Sequence, residues 1–167
     1  MVLIILEQQV SLDSARAIYK RLSALMGGIH ARSIAEVSEQ HLRQAGLTRQ
    51  KAHYIHSLAK QVATGDFRFQ ELPRLSDDEV RRRLCALKGI GPWTSDVYLL
   101  FVLGRPDIWP PGDIALIKSI AEQFKCSESP TNKSCMEKSH DWKPWRSVAA
   151  RMLWHAYLKQ RGRLHSI

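Results

Sequence analysis

The chain has 167 residues, 44% hydrophobic and 25% charged, with 25 Lys and Arg against 16 Asp and Glu for a formal net charge of +9. That is ordinary for one globular domain with a sizeable core. No apolar run approaches a membrane span, and the opening MVLIIL is too short and lacks the basic start of a signal peptide. The three cysteines, Cys85, Cys126 and Cys135, are odd in number and form no CxxC pair, which argues against a disulfide framework and a zinc site and points to a reducing compartment.

Taken in order, the elements read as helices joined by short capped turns. Ser11 caps a helix over about 12–26 that Gly27 and Gly28 end. Ser33 with Glu36, and Ser76 with Glu79, have the spacing of capping boxes. Gly46 and Gly65 read as helix stops. Between them Thr48 opens a helix with Ile55, Leu58, Ala59 and Val62 on one face. The next helix ends near Ala86, and Pro92 suits the first position of its successor. That successor, WTSDVYLLFVL, is apolar almost all round and predicts a central buried helix. Prolines 106, 110 and 111 make RPDIWPPGD irregular. A helix restarts at Ile114 with Ile117, Ile120 and Phe124 in phase, and residues 126–143 are polar with room for one short helix. Pro144 then opens a last amphipathic helix to about Lys159, its core stripe expected at Trp145, Ala149, Met152, Leu153 and Ala156. No segment alternates like a strand, so the fold class is all-α, without repeats.

The charge is unevenly placed. Residues 1–80 hold 10 Lys and Arg against 9 Asp and Glu, whereas residues 81–167 hold 15 against 7. An excess confined to one half suits a basic face for a polyanion, most simply nucleic acid; a merely soluble basic surface is the bland alternative.

The stretch LKGIGPW, residues 87–93, joins two helices through a bare turn. Glycines at 89 and 91 allow close backbone approach and positive φ. The free amides of the helix that follows make an anion site that fits a DNA phosphate, a contact that positions without reading sequence. Lys88 and the run Arg81-Arg82-Arg83 favour phosphate over a plain packing turn, with at least one arginine simply solvated.

LKGIGPWT followed by WPPGDIALIK resembles the helix-hairpin-helix–GPD superfamily of DNA glycosylases, and within it the 3-methyladenine DNA glycosylase II family. ILEQQVSLDSA, LRQAGLTRQKAHYIHSLA and DWKPWRSVAARMLWHAY are similar to the same family, so the resemblance covers nearly the whole chain. It implies one domain over 1–167 in two helical lobes with the active-site cleft between them, the hairpin at about 77–103, and an N-terminus that reads as shortened, because Met1 already stands in the helix carrying LEQQVS. It implies Asp113 as the catalytic carboxylate. A fixed carboxylate stabilises the oxocarbenium-like sugar and orients or deprotonates water; spacing alone reads Asp113 as the N-cap of the helix from Ile114, and both roles can hold. Trp93 stands where the lyase branches carry their Schiff-base lysine, which implies a monofunctional enzyme leaving an abasic site.

The same resemblance puts Trp154 and Trp93 in an aromatic pocket for the flipped base. Val97 stands there where the well-studied bacterial branch has a stacking tyrosine. It implies DNA contacts at Lys88, Gly89, Ile90, Gly91 and Thr94, and at Gln8 and Gln9, with Gln9 as the wedge that fills the gap left by the flipped base. Trp109, Trp142 and Trp145 read as packing. His53 and His56 lack metal spacing and read as solvent-facing. With only Cys126 and Cys135 near the C-terminus no iron–sulfur cluster is expected. No cofactor or metal is implied beyond a monovalent cation bridging the hairpin to a DNA phosphate. The expected partner is duplex DNA with damaged bases, without a membrane, bound by a monomer in the bacterial cytoplasm or nucleoid, or in the nucleus of a eukaryote. Two other readings keep a place: a DNA-backbone-binding module without catalysis, and a glycosylase for another lesion such as deaminated bases.

Overall fold

A computed structural model describes residues 1–163. Ten α-helices and two short 3₁₀ turns account for the regular structure of the described residues, with no strand among them. The all-α expectation holds. The described residues contain no helix long and apolar enough to cross a membrane. The chain divides into two compact units, Met1–Thr94 and a second from Ser95 on.

The first unit contains α1 (Val2–Glu7), α2 (Leu12–Met26), α3 (Ala31–Glu36), α4 (Glu39–Arg43), α5 (Arg49–Thr64), a 3₁₀ turn (Phe69–Arg74) and α6 (Asp77–Cys85). Ser11, Thr48 and Ser76 cap α2, α5 and α6, each side chain accepting the amide three residues on. Ser33 does not cap: α3 already runs through it from His30, and Ser38 caps α4 instead. A Ser-x-x-Glu spacing inside an established helix has no free amide to satisfy. α5 is the central strut, packed on α1, α3 and α4. It buries Ala52, Ile55, Leu58 and Ala59 against Ile4, Ile5, Ile34 and Leu42. Val62, expected with them, is half-buried. His53 and His56 differ from their expected exposure. Both turn Nδ1 toward Glu39, at 2.7 and 3.6 Å, and the His56 side chain is only 13% exposed. The His53 hydrogen bond leads in holding the Glu39 carboxyl below its ordinary range.

α7 (Pro92–Phe101) begins in the first unit and continues into the second. Seven successive residues, 94–100, are buried, as an all-round apolar helix requires, although Thr94, Ser95 and Asp96 are polar. The second unit continues with the irregular, proline-bearing segment 102–113, α8 (Ile114–Gln123), α9 (Asn132–Ser139), a 3₁₀ turn (His140–Trp142) and α10 (Arg146–Gln160). α8 packs on α10 and α9, burying Leu116, Ile120, Cys135, Ala150 and Leu153.

α10 corrects the sequence expectation in both start and phase. It opens at Arg146, not Pro144. The Arg146 amide donates to the carboxylate of Asp107, 39 residues away, at 3.3 Å, and the guanidinium adds bonds to the same carboxylate of 2.7 and 2.9 Å. Its inward face is Ser147, Ala150 and Leu153, whereas Trp145 and Met152, expected in the core, are 61% and 67% exposed. The cause is polar. The 105–108 loop has backbone groups that need partners, and Ser147 supplies them: its hydroxyl accepts from Ile108 N at 2.9 Å and donates to Arg105 O at 2.6 Å, while its amide donates to Pro106 O at 3.0 Å. A serine satisfied three times belongs inside.

Candidate functional site

In the first unit, the turn between α6 and α7 is pinned by two buried apolar residues, Leu87 and Ile90, with Ile90 N donating to Leu87 O at 3.1 Å. Gly89 has φ +83°, and a Cβ there would fall inside the Tyr54 ring of α5. Glycine is required twice over, by conformation and by space. Gly91 is different: its φ lies outside the left-handed region, and a Cβ would meet nothing within 4 Å. Packing within the chain makes no demand for glycine at 91. Lys88 is exposed beside the turn.

The arginine run does not present free cations. Arg81 pairs with Asp78 at 2.9 Å, Arg82 with Glu79 at 2.6 Å, and Arg83 with both Glu71 at 2.8 Å and Glu79 at 3.1 Å. Their i, i+3 and i, i+4 partners, Asp78 and Glu79, sit in the first turn of α6. These bonds hold Glu79 below its ordinary range, the Arg82 hydrogen bond leading.

Gln9 parts company with Gln8 and Thr94. Gln9 is exposed at φ +59° in the turn after α1. The Gln8 carboxamide instead turns inward, donating to Gly89 O and to Thr94 Oγ1, both at 2.9 Å. Thr94 is buried. Lys51, which no motif singles out, donates from Nζ to Leu6 O at 2.7 Å and Gln8 O at 2.8 Å.

The second unit assembles the carboxylate and an aromatic platform. Asp113 is the N-cap of α8 and is 8% exposed. Its Oδ1 accepts from Leu116 N at 2.9 Å and from the Trp154 indole Nε1 at 3.2 Å. Gly112 just before it donates its amide to Asn132 Oδ1 at 2.6 Å, which ties the Pro111-Gly112 turn to the start of α9. Trp154 is half-buried and stacks on the exposed ring of Phe101, with centroids 5.3 Å apart and planes at 26°. Arg151 also lies over the Phe101 ring, its guanidinium 4.9 Å from the centroid and bonded to Leu100 O at 2.8 Å. Phe101 and Arg151 carry no motif; Phe101 is one more apolar residue of WTSDVYLLFVL, and only the stack distinguishes it.

The remaining expected pocket residues are less prominent. Val97 is buried and Trp93 half-buried, at the start of α7. Trp109 is buried against Trp142, with centroids 5.4 Å apart, as packing requires. Trp145 is not packed in this way. Among the described residues no group of three His, Cys, Asp or Glu could hold a metal ion.

The family model of HhH-GPD superfamily base excision DNA repair proteins matches residues 2–145. The Bacillus subtilis protein YfjP, whose name places it among DNA-3-methyladenine glycosylases, is 31% identical over 160 residues, which is 91% of this chain and 56% of that protein. The chain thus spans little more than half the length of this relative. The crystal structure of a DNA-3-methyladenine glycosidase from Bacillus halodurans matches with a TM-score of 0.79 at 34% identity, covering 96% of this chain and 75% of that one. Schizosaccharomyces pombe 3-methyladenine DNA glycosylase Mag1, in complex with abasic DNA, matches with a TM-score of 0.86 at 27% identity, covering 92% and 77%. The chain belongs to the HhH-GPD superfamily of base excision DNA repair proteins, within its 3-methyladenine glycosylase family.

Proposed function

We propose that the chain is a monofunctional DNA glycosylase that hydrolyses the N-glycosidic bond of alkylated purines of the 3-methyladenine type, flipped from duplex DNA, and leaves an abasic site. The observation that carries the proposal is the Asp113 carboxylate. It is fixed at the head of α8 by an amide and by the indole N–H of Trp154, whose ring belongs to an aromatic stack. As the C1′–N bond breaks, positive charge develops on the sugar, and a carboxylate held in place stabilises it without reorganising. The same carboxylate orients an attacking water and takes its proton, and the purine departs with the bonding pair. A base already cationic leaves as a neutral molecule, so a site with one carboxylate and no general acid suffices. Trp154 and Phe101 offer π faces to such a base.

The hairpin serves the backbone. The open approach at Gly91 and the amides at the head of α7 suit a DNA phosphate, with Lys88 beside them. A monovalent cation, which takes oxygen ligands, fits the turn: Leu87 O and Gly89 O each accept one hydrogen bond, from Ile90 and from Gln8, and keep a second lone pair. Those two carbonyls would hold it, and it would supply charge toward the phosphate. Trp93 provides no amine for a Schiff base, so strand cleavage has no nucleophile at that position.

The deciding experiment is release of free 3-methyladenine from alkylated duplex, with wild type and Asp113→Asn, alongside borohydride trapping. Base release lost in the variant, with no trapped adduct, is the expected result. Binding of abasic duplex without release of any base would leave only a DNA-binding module, and an efficient trapped adduct would overturn the monofunctional assignment.

A further inference from the structure

We propose that Gln8 is a positioning residue: its carboxamide locks the exposed Gln9 turn to the hairpin, so that one rigid piece carries both the phosphate-binding turn and the side chain that enters the duplex. The inference rests on the glycosylase reading only in giving Gln9 a vacated base position to fill; the bonds themselves lie within the first unit.

The turn after α1 does not hold itself. Gln8 leaves the helix at φ −58°, ψ 123°, and Gln9 follows at φ +59°, a conformation that residues other than glycine rarely adopt. The last carbonyls of α1 have no partners within the helix, and Lys51 meets two of the carbonyls there, those of Leu6 and Gln8. This fixes the turn to α5. It does not fix it to the hairpin.

That second link is the Gln8 side chain. A carboxamide has two N–H donors, and Gln8 gives one to Gly89 O and one to Thr94 Oγ1, at 2.9 Å each, across 81 and 86 residues of sequence. One acceptor is in the turn itself and the other in the first helical turn of α7, so the carboxamide spans the hairpin's exit. Tyr54, also from α5, packs against Gly89 from its own side. α5 thus braces both pieces, and Gln8 joins them. Its nearest relatives do not replace it: glutamate has no donor and would set an acceptor against the Gly89 carbonyl, and asparagine is one methylene short.

The test uses affinity for a duplex containing an abasic analogue, relative to undamaged duplex, since a filled gap is what Gln9 would add. Gln9→Ala removes the wedge, and Gln8→Met removes the donors while keeping length and shape. Gln8→Met should reproduce most of the loss of abasic preference of Gln9→Ala, about tenfold, although the Gln9 side chain is intact. The double variant should be no worse than Gln9→Ala alone, because the two act through one event. Thr94→Val, which removes one acceptor isosterically, should give a smaller loss in the same direction. Losses that multiply in the double variant, or a Gln8→Met protein that melts earlier yet keeps its preference when folded, would overturn the proposal, as would a wild type with no abasic preference. Base release is scored separately: a wild type that shows the coupling but frees no base sinks the glycosylase reading and leaves the Gln8 link standing.

Discussion

The hairpin and the Asp113 corner hold their working groups by opposite means. At the hairpin, side chains position backbone: Leu87 and Ile90 anchor the turn, the Tyr54 ring fills the space a Gly89 side chain would take, and the Gln8 carboxamide holds the Gly89 carbonyl. At Asp113, backbone and one indole position a side chain: the Leu116 amide and Trp154 Nε1 meet on a single carboxylate oxygen. A backbone surface recognises any phosphate with the same spacing, whereas a carboxylate acts only where it is aimed. The first arrangement suits binding without sequence preference and the second suits chemistry.

That contrast can be broken most directly at Asp113. Asp113→Asn keeps a cap acceptor and removes the charge, so single-turnover base release should fall by roughly 10³-fold, while abasic-duplex affinity stays within about threefold. A parallel loss of affinity would mean the carboxylate positions DNA as well. The hairpin gives the next largest effect, and it separates the two glycines. Gly89→Ala must strain a positive φ and displace Tyr54, costing about 1–3 kcal/mol of stability by denaturant unfolding. Gly91→Ala should change stability by less than about 0.5 kcal/mol and instead weaken duplex binding several-fold. If Gly91→Ala binds like wild type, the open approach at that residue is not a phosphate site.

Trp154→Phe keeps a π face and deletes the indole donor to Asp113. Base release should fall by about tenfold, in keeping with one hydrogen bond of roughly 1–1.5 kcal/mol, with little change in affinity. The last effect, on stability alone, depends on pH. Arg146 hydrogen bonds hold the Asp107 carboxyl below its ordinary value. A depressed folded pKa contributes stability above the unfolded value of about 3.9, and that stability is lost as pH falls through the folded value. Asp107→Asn should therefore destabilise by about 1–2 kcal/mol at pH 7, and the deficit should shrink below pH ~4, read from thermal melts across pH.

How much of this was legible in the sequence depends on whether the deciding interactions are local. Ser11, Thr48 and Ser76 cap the helices they precede because the amide each accepts is three residues away. The N-cap role of Asp113 is local for the same reason, whereas its role as candidate carboxylate comes only from the family resemblance. α10 failed as a reading because its inward face is chosen by Ser147, whose partners lie at Arg105, Pro106 and Ile108, and its start by Asp107. An apolar-stripe argument has no place for a serine that a distant loop needs. Phe101, Arg151, Lys51 and Tyr54 were hidden likewise: each matters through a contact made by folding, not through its neighbours in the chain. The arginine run misled in the other direction, since a cluster of positive charge looks available until the acidic first turn of α6 is seen to cover it.

That covering has a consequence for how duplex binding would respond to salt. A cation that neutralises a DNA phosphate releases a condensed counterion, and each such release steepens the fall of affinity with ionic strength. Arg81, Arg82, Arg83, Arg146 and Arg161 each already hold a carboxylate, and backbone amides carry no charge to exchange. Of the 25 Lys and Arg behind the net charge of +9, these five would then add little to counterion release, and log affinity would fall with log salt less steeply than a full count of cations implies.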